Sequence, residues 1–250
     1  MIPKIIHYCW LSGDPLPSDI KKYMRTWKEK LPDYELMLWD TERFNVNSSL
    51  WVKQAFENKK YAFAADYIRV YALYHYGGIY LDTDIEVLKS YNAFLHLNVM
   101  LGLDHTSNNC EVATWGAEKG AGYLKKILDF YDRSSFVKED GNFELAPMPG
   151  VVLGILKENG YKLVPVNSLK EAEGVQGDKC IPVFPREWFC PLDWYTFKLH
   201  LTKNTYSIHR YKGGWLAENV RKEREILNKL GPYLPRVWRK VQAWFVKLKS

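Results

Sequence analysis

The chain has 250 residues, of which 47% are hydrophobic and 26% are charged, and it carries a formal net charge of +6. This length suits one large α/β domain with an ample core and does not require a second domain. The positive charge would suit an anionic membrane surface or nucleic acid, but no nucleic-acid motif accompanies it, so we expect no nucleic-acid partner. Neither a zinc site nor a redox motif is indicated, because C-x-x-C spacing is absent among Cys9, Cys110, Cys180 and Cys190.

In chain order, the hydrophobic pattern predicts alternating strands and helices. Strands are predicted at residues 5–10, 34–39, 79–81, 85–88, 98–103 and 112–115. Helices are predicted at residues 18–30, 50–58, 62–76, 123–131 and 151–159, with a turn at 148–150 and a β-like run at 206–208. This alternation predicts an α/β fold with a mostly parallel central sheet flanked by helices on both faces.

The most informative segment is YGGIYLDTD at residues 76–84. Its two glycines end a helix, and the apolar residues that follow predict a buried strand. Because side chains alternate along a strand, Asp82 and Asp84 are expected to converge, with Thr83 turned away. Two fixed carboxylates suit Mg²⁺ or Mn²⁺, which would hold a diphosphate. The alternative is a solvated acidic turn or a pair of helix caps.

Two charged residues on the preceding helix, Asp66 and Arg69, lie three positions apart and therefore share one face. The simple interpretation is an ordinary intrahelical ion pair. Their neighbours are apolar all round, however, which predicts a largely buried helix. A buried charged pair is costly without further partners. We therefore predict that Arg69 binds phosphate or a sugar oxygen and that Asp66 binds sugar hydroxyls.

The segments AADYIR at residues 64–69 and YGGIYLDTD at 76–84 closely resemble the D-x-D sugar-transferase family. This family includes bacterial capsular-polysaccharide and lipopolysaccharide glycosyltransferases and fungal Golgi mannosyltransferases, and the large glucosylating bacterial toxins resemble it distantly. The segment IPKIIHYCW at residues 2–10 is similar to the family's first strand. HRYKGGW at residues 209–215 resembles its late H-x(n)-G-S-W element, with Gly214 where serine is common.

The resemblance implies the GT-A (Rossmann-like) nucleotide-sugar transferase fold, as a single domain over residues 1–232. It also implies roles for individual residues. The expected catalytic residues are Asp66, Arg69, Asp82 and Asp84. The expected donor-binding residues are Tyr8, Trp10, Asp66, Arg69, Tyr80, Asp82 and Trp215. The expected ligands of Mn²⁺ (or Mg²⁺) are Asp82, Asp84 and His209.

Two histidines have different expectations. Most lone histidines are structural, and from the residues alone that remains an alternative for His209. The resemblance instead favours His209 as a third metal ligand, because many GT-A enzymes take one from a late histidine and a neutral imidazole suits Mn²⁺. His7, on the first strand, is expected to face the core or to bond to the backbone.

The resemblance implies a metal-dependent, retaining glycosyltransferase. It would move a hexose or N-acetylhexosamine from a nucleotide-diphosphate donor to a saccharide or lipid-linked saccharide acceptor in capsular or lipopolysaccharide synthesis. Bacterial relatives commonly use UDP-sugars and fungal ones GDP-mannose. The end of the first strand, residues 8–10, looks bacterial, which favours a UDP-sugar. The aromatic residues 184–194 would line the acceptor side of the cleft or cap the sheet.

Two other functions remain open. A metal-dependent phosphohydrolase could use the same carboxylates, but it usually needs a denser cluster of histidine and aspartate ligands. A non-catalytic carbohydrate-binding protein could use the many aromatic residues, but it would not explain Asp82 and Asp84 beside a pair of glycines.

The C-terminal residues 233–250 predict a basic amphipathic helix, because apolar side chains recur there at three- and four-residue steps with lysines and arginines between them. Such a helix suits the anionic surface of the inner membrane. The alternative is a terminal helix packed on the domain or on a partner subunit. No signal peptide precedes Pro3, and no stretch approaches the roughly 20 apolar residues that span a bilayer. We therefore expect a cytoplasmic protein that is peripheral on the cytoplasmic face of the membrane.

Overall fold

The structure, a computed structural model, describes residues 1–104, 109–194 and 196–212. Trp215, the domain end expected at residue 232 and the helix expected at residues 233–250 lie outside the described residues. Among the helices that are described, none combines the length and the apolar character needed to cross a bilayer.

A central sheet has the strand order β2-β1-β3-β6-β5. Strand β1 pairs in parallel with β2 and β3, whereas β6 runs antiparallel between β3 and β5. Four strands therefore share one direction, β2, β1, β3 and β5, which confirms the mostly parallel sheet. The strands of the described chain are β1 (Ile5–Cys9), β2 (Glu35–Trp39), β3 (Gly78–Leu81), β4 (Ile85–Val87), β5 (Val99–Leu103), β6 (Cys110–Ala117), β7 (Lys162–Pro165), β8 (Cys180–Val183) and β9 (Ser207–His209).

Helices cover both faces of this sheet, as expected for an α/β fold. They are α1 (Ser18–Lys30), α2 (Leu50–Glu57), α3 (Tyr61–Tyr76), α4 (Gly122–Asp132), α5 (Met148–Glu158), α6 (Leu169–Glu173) and α7 (Arg186–Phe189). Helix α3 packs on β1, β3 and β6, whereas α7 packs on β5 and β6. Side chains of strand β3 alternate between the two faces of the sheet. Tyr80 belongs to the apolar cluster that includes α3, whereas Ile79 and Leu81 belong to the second apolar cluster, which includes residues of α7.

The link from α3 to β3 depends on two glycines. Gly77 has φ +67° and Gly78 has φ +103°, which are left-handed conformations that side chains disfavour. A Cβ at Gly77 would lie 2.7 Å from the backbone nitrogen of Lys119, and one at Gly78 would lie 2.7 Å from the carbonyl oxygen of Ile5. The glycines therefore allow the chain to leave the helix and enter the sheet directly, with the acidic pair at the far end of β3.

The late segment returns to the sheet beside the acidic pair. Strand β9 pairs antiparallel with β4, with His209 opposite Ile85. The carbonyl oxygen of Ile85 accepts a 2.7 Å hydrogen bond from the indole N–H of Trp27 on α1. This short ladder therefore brings residues from three distant parts of the sequence to one place.

Two parts of the predicted secondary structure were wrong. The turn expected at residues 148–150 is the first turn of α5, where Pro149 is tolerated because the N–H it lacks would have had no helical partner. The elements β7, β8, α6 and α7 were not predicted. They have four or five residues each. Such lengths are too short to show a clear hydrophobic period.

Candidate functional site

The acidic pair lies in a turn between β3 and β4. Strand β3 ends at Leu81, and the carbonyl oxygen of Asp82 accepts the N–H of Ile85 at 3.0 Å, which closes the turn. The predicted strand alternation was therefore wrong, and Thr83 lines the same cavity as its neighbours. The predicted convergence nevertheless occurs, because ligand atoms of Asp82, Asp84 and His209 all lie within 4.8 Å of one another.

Asp84 is held in place by the late segment. Its backbone oxygen accepts the N–H of Arg210 at 3.1 Å, and its Oδ2 accepts the N–H of Lys212 at 2.7 Å. Its Oδ1 lies 3.6 Å from Nε2 of His209. The other ring nitrogen, Nδ1, lies 3.2 Å from Oε1 of Glu111. His209 therefore stands between two carboxylates, one on the acidic turn and one on β6.

Arg69 has contacts beyond the ion pair with Asp66 on its own helix. Its Nη2 lies 3.3 Å from Oδ1 of Asp66 and 3.1 Å from Oδ1 of Asp82, so it joins α3 to the acidic turn. Its Nη1 donates to the carbonyl oxygen of Val112 at 2.7 Å, and the guanidinium lies 4.5 Å from the ring centre of Tyr80. Only its Nε has no hydrogen-bond partner among the described residues. The arginine is 4% exposed and therefore held rigidly by its contacts.

Burial and neighbouring charges shift the pKa values of these groups. Burial raises the pKa of Asp66 to about 7. The positive charge of Arg69 lowers this pKa, and the negative charge of Asp82 raises it further. Burial likewise raises the pKa of Asp82, which Arg69 opposes and Asp84 reinforces. For His209, burial lowers the pKa, but the charges of Glu111 and Asp84 outweigh it and raise the pKa to about 9.

Negative charge is in excess around the acidic turn. Like charges held close together repel one another, and a divalent cation would relieve this repulsion. Two carboxylates and one imidazole are also a donor set that such a cation accepts. The residues therefore fit a metal ion. The charged groups concerned are the carboxylates of Asp66, Asp82, Asp84 and Glu111 and the cationic groups of Arg69 and His209.

These groups line a cavity of about 1020 Å³. Among the described residues predicted to bind donor or metal, Tyr8 is the exception, because it does not line this cavity. Its ring packs edge-on against Trp27 at 5.6 Å between centres, and Cys9 faces the cavity instead. The predicted residues that do line the cavity are Trp10, Asp66, Arg69, Tyr80, Asp82, Asp84 and His209.

Glu111 is the main residue that the sequence analysis missed. It is the one charged residue of strand β6 and is 3% exposed, so an isolated charge in a buried run was a usable signal. Within the aromatic segment 184–194, Trp194 lines the cavity, whereas Phe184 and Trp188 lie in the apolar cluster away from it. The expectation for His7 is confirmed, because it is fully buried and bonds to the backbone at Gly77.

Comparison with known proteins gives consistent matches. Residues 17–100 match the family described as the glycosyltransferase sugar-binding region containing the DXD motif. The mannosyl phosphorylinositol ceramide synthase CSH1 of Saccharomyces cerevisiae is 36% identical over an alignment 260 positions long. This alignment covers 88% of this chain and 69% of that protein. Among solved structures, the PaToxG glycosyltransferase matches with a TM-score of 0.48 at 20% identity, covering 64% of this chain and 69% of that one.

Other relatives match over shorter regions. The mannosyl phosphorylinositol ceramide synthase SUR1 of Saccharomyces cerevisiae is 35% identical over 42% of this chain. The inositol phosphoceramide mannosyltransferase 3 of Schizosaccharomyces pombe is 33% identical over 54% of it. These alignments span 30% and 38% of the two yeast proteins, so about a third of each relative is matched. By name they are mannosyltransferases rather than capsular or lipopolysaccharide enzymes.

The family match includes both the Asp66–Arg69 pair and the acidic turn, which are joined by ion pairs and line the same cavity. The similarity to the CSH1 protein extends beyond them across most of the chain. The chain therefore belongs to the family of glycosyltransferases whose sugar-binding region contains the DXD motif.

Proposed function

We propose that this protein is a metal-dependent, retaining glycosyltransferase that moves mannose from a nucleotide-diphosphate donor to a hydroxyl group of a lipid-linked acceptor. The observation that carries the proposal is the meeting of Asp82, Asp84 and His209 within 4.8 Å, beside the buried guanidinium of Arg69. A sugar diphosphate needs positive charge at its phosphates and polar groups at its sugar. A divalent cation beside Arg69 would supply the first, and the carboxylates around it would supply the second.

Asp82, Asp84 and His209 are the residues that would hold the metal, and the imidazole favours Mn²⁺ over Mg²⁺. When bound, the cation would act as a Lewis acid that neutralises the departing diphosphate. The phosphohydrolase alternative is less well supported. The described residues contain two groups of three candidate metal ligands, and both groups share His209. They therefore do not form the dense ligand set that is typical of such enzymes.

Arg69 would add positive charge from the protein itself. Its position is set by Val112, Asp66 and Asp82 before any ligand arrives, so stabilising a developing negative charge needs no further reorganisation. Its Nε has no partner among the residues that the structure describes and is a remaining hydrogen-bond donor in the same buried group. Asp66 lines the cavity next to it and would accept hydrogen bonds from the sugar hydroxyls. Trp10 would offer an aromatic surface to the base.

The names of the relatives support mannose as the transferred sugar, because they describe mannosyl transfer to inositol phosphoceramide. We therefore propose GDP-mannose as the donor instead of a UDP-sugar. We propose a lipid that carries a phosphorylated polyol as the acceptor, instead of a capsular or lipopolysaccharide saccharide. The cavity wall formed by Leu145, Pro147 and Met148 is apolar, and Leu145 is 52% exposed, which suits an acceptor with a lipid portion nearby.

Isothermal titration of the purified 250-residue protein with GDP and with UDP, each with and without Mn²⁺, tests the proposal. We expect Mn²⁺-dependent binding that is tighter for GDP, followed by release of GDP from GDP-mannose when inositol phosphoceramide in detergent is supplied. Tighter Mn²⁺-dependent binding of UDP would restore the UDP-sugar expectation. Failure to bind either nucleotide would contradict the proposal.

A further inference from the structure

A buried carboxylate lies behind the imidazole of His209. Glu111 is on β6 and 3% exposed, and its Oε1 is 3.2 Å from Nδ1 of His209. The same oxygen accepts the backbone N–H of Ala113 at 3.0 Å. The thiol of Cys190 is a further partner, and its sulfur lies 2.6 Å from the hydroxyl of Tyr211. The carboxylate is therefore fixed from several directions.

An isolated buried carboxylate is costly, so Glu111 needs a compensating partner. Among the ion pairs formed by the described residues, Glu111 pairs with His209 alone. Nδ1 of the imidazole is thus the ring atom that faces this carboxylate, 3.2 Å from Oε1.

Other contacts position the ring but do not specify a hydrogen-bond partner for either nitrogen. Strand β9 sets the position of the His209 backbone through its pairing with β4. The ring of Tyr211 lies 4.0 Å from the imidazole, between centres, and limits its tilt. A half-turn of the imidazole about the Cβ–Cγ bond would exchange Nδ1 with Cδ2 and Nε2 with Cε1, and would so take Nε2 away from the acidic turn. The hydrogen bond to Glu111 removes that freedom, because it requires a proton on Nδ1.

We propose that Glu111 is a positioning residue that holds Nδ1–H of His209 and thereby presents Nε2 to the metal beside Asp84. The proposal rests on the proposed function and deepens it, since it adds a residue that acts through His209 without binding metal or donor. A carboxylate on the far side of a metal-binding histidine sets the tautomer and raises the basicity of the ligand nitrogen.

The variant Glu111→Gln keeps the size and the hydrogen-bonding oxygen but removes the charge. We expect it to lower Mn²⁺ affinity by about 10- to 100-fold in isothermal titration without nucleotide. The matched control is Glu86→Gln, because Glu86 pairs with Arg210 on the same β4–β9 ladder but does not contact the imidazole. Its Mn²⁺ affinity should stay within about twofold of wild type.

A double-mutant cycle separates positioning from general loosening of the fold. If Glu111 acts through His209, Glu111→Gln should cost no further Mn²⁺ affinity in a His209→Gln background. An additive loss would overturn the proposal. Glu111→Asp covers the case in which Glu111→Gln does not fold, because it keeps the charge but shortens the reach. We expect its Mn²⁺ affinity to lie between those of wild type and His209→Gln, and affinity equal to wild type counts against the proposal.

The wild-type protein supplies a second readout that does not depend on any variant. Long-range ¹H–¹⁵N NMR of His209, recorded with and without Mg²⁺, should show a protonated Nδ1 in both states. A deprotonated Nδ1 in the Mg²⁺ form would overturn the proposal. Wild-type Mn²⁺ affinity in Glu111→Gln would do so while leaving the proposed function intact. Absence of Mn²⁺ binding by wild-type protein, with either nucleotide, would contradict both.

Discussion

Arg69 on helix α3 forms a buried ion pair with Asp82, with Nη2 and Oδ1 3.1 Å apart. The side chains are 5% and 30% exposed, so the arginine is withdrawn from solvent while the carboxylate still reaches the cavity. Because Arg69 also bonds to Val112, one guanidinium connects the helix, the acidic turn and β6. The same residue therefore stabilises the fold and places positive charge in the site.

Substitution of Arg69 should separate these two contributions. Arg69→Ala leaves Asp66 and Asp82 without their buried counter-charge, so we expect the free energy of unfolding to fall by about 3–5 kcal/mol. Arg69→Lys keeps a charge but cannot reproduce the planar fork, so we expect a smaller stability loss and a turnover about 100-fold lower. Urea unfolding and GDP-mannose turnover measure the two effects. Full turnover by Arg69→Lys would show that the fork geometry is unimportant.

Loss of one carboxylate of the acidic turn should remove metal binding. Asp84→Asn can still accept the Lys212 N–H but offers the cation no charge. We expect Mn²⁺ affinity to fall at least about 100-fold, and the Mn²⁺-dependent part of nucleotide binding to disappear. Asp33→Asn, which removes an exposed ion pair with Lys4, is the control and should bind as wild type does. Equal binding by Asp84→Asn would rule out this residue as a metal ligand.

The buried histidine on β1 should make the protein sensitive to acid. Trp39 donates its indole N–H to Nδ1 of His7, so the proton lies on Nε2 and is donated to the carbonyl oxygen of Gly77. Burial lowers the pKa of His7 from 6.5 to about 4. The hydrogen bond to Gly77 raises this pKa, and the positive charge of Arg43 lowers it. Protonation therefore favours the unfolded chain, and the stabilisation present above about pH 6.5 is lost as pH falls through about 4.

The expected contribution of His7 over this range is about 3 kcal/mol in the free energy of unfolding. His7→Gln cannot titrate, so its stability should change less between pH 7 and pH 4 than that of the wild type, in urea unfolding without divalent metal. Parallel pH profiles for the two proteins would mean that His7 does not supply this acid sensitivity.

The glycine link before the acidic turn should not tolerate a side chain. In Gly78→Ala, the new Cβ would meet the Ile5 carbonyl oxygen at 2.7 Å and the backbone would keep a φ of +103°. We expect a loss of at least about 2 kcal/mol in the free energy of unfolding. Gly154→Ala is the matched control, because Gly154 lies inside α5 and its added Cβ would meet no neighbouring atom of the described chain within 4 Å. That variant should be more stable by up to about 1 kcal/mol in the same urea titration.

Residues 235–250 should bind anionic membranes. Removal of these residues should lower co-sedimentation with phosphatidylserine-containing liposomes, while liposomes of neutral lipid should bind either protein weakly, because the expected attraction is between basic side chains and acidic headgroups. Unchanged binding by the shortened chain would favour the alternative, in which this segment packs on the domain or on a partner subunit.

Local sequence was sufficient for the longer elements of the fold. Helix α1 was predicted with its observed bounds, and α3 and β3 within one residue at each end. These segments combine a clear hydrophobic pattern with glycine or proline at their borders. The short elements between residues 160 and 190 were missed because four or five residues contain too little of any period, and their pairing depends on contacts made elsewhere.

By itself, the sequence determined the α/β class, the family resemblance and the shared helix face of Asp66 and Arg69, because each follows from local patterns along the chain. Only the tertiary structure decided that the acidic pair lies in a turn and that Tyr8 faces away from the cavity. It also placed Glu111 against His209, 98 residues away in the chain. A contact over such a distance depends on where the fold places strands β6 and β9, and no local pattern of residues encodes that placement.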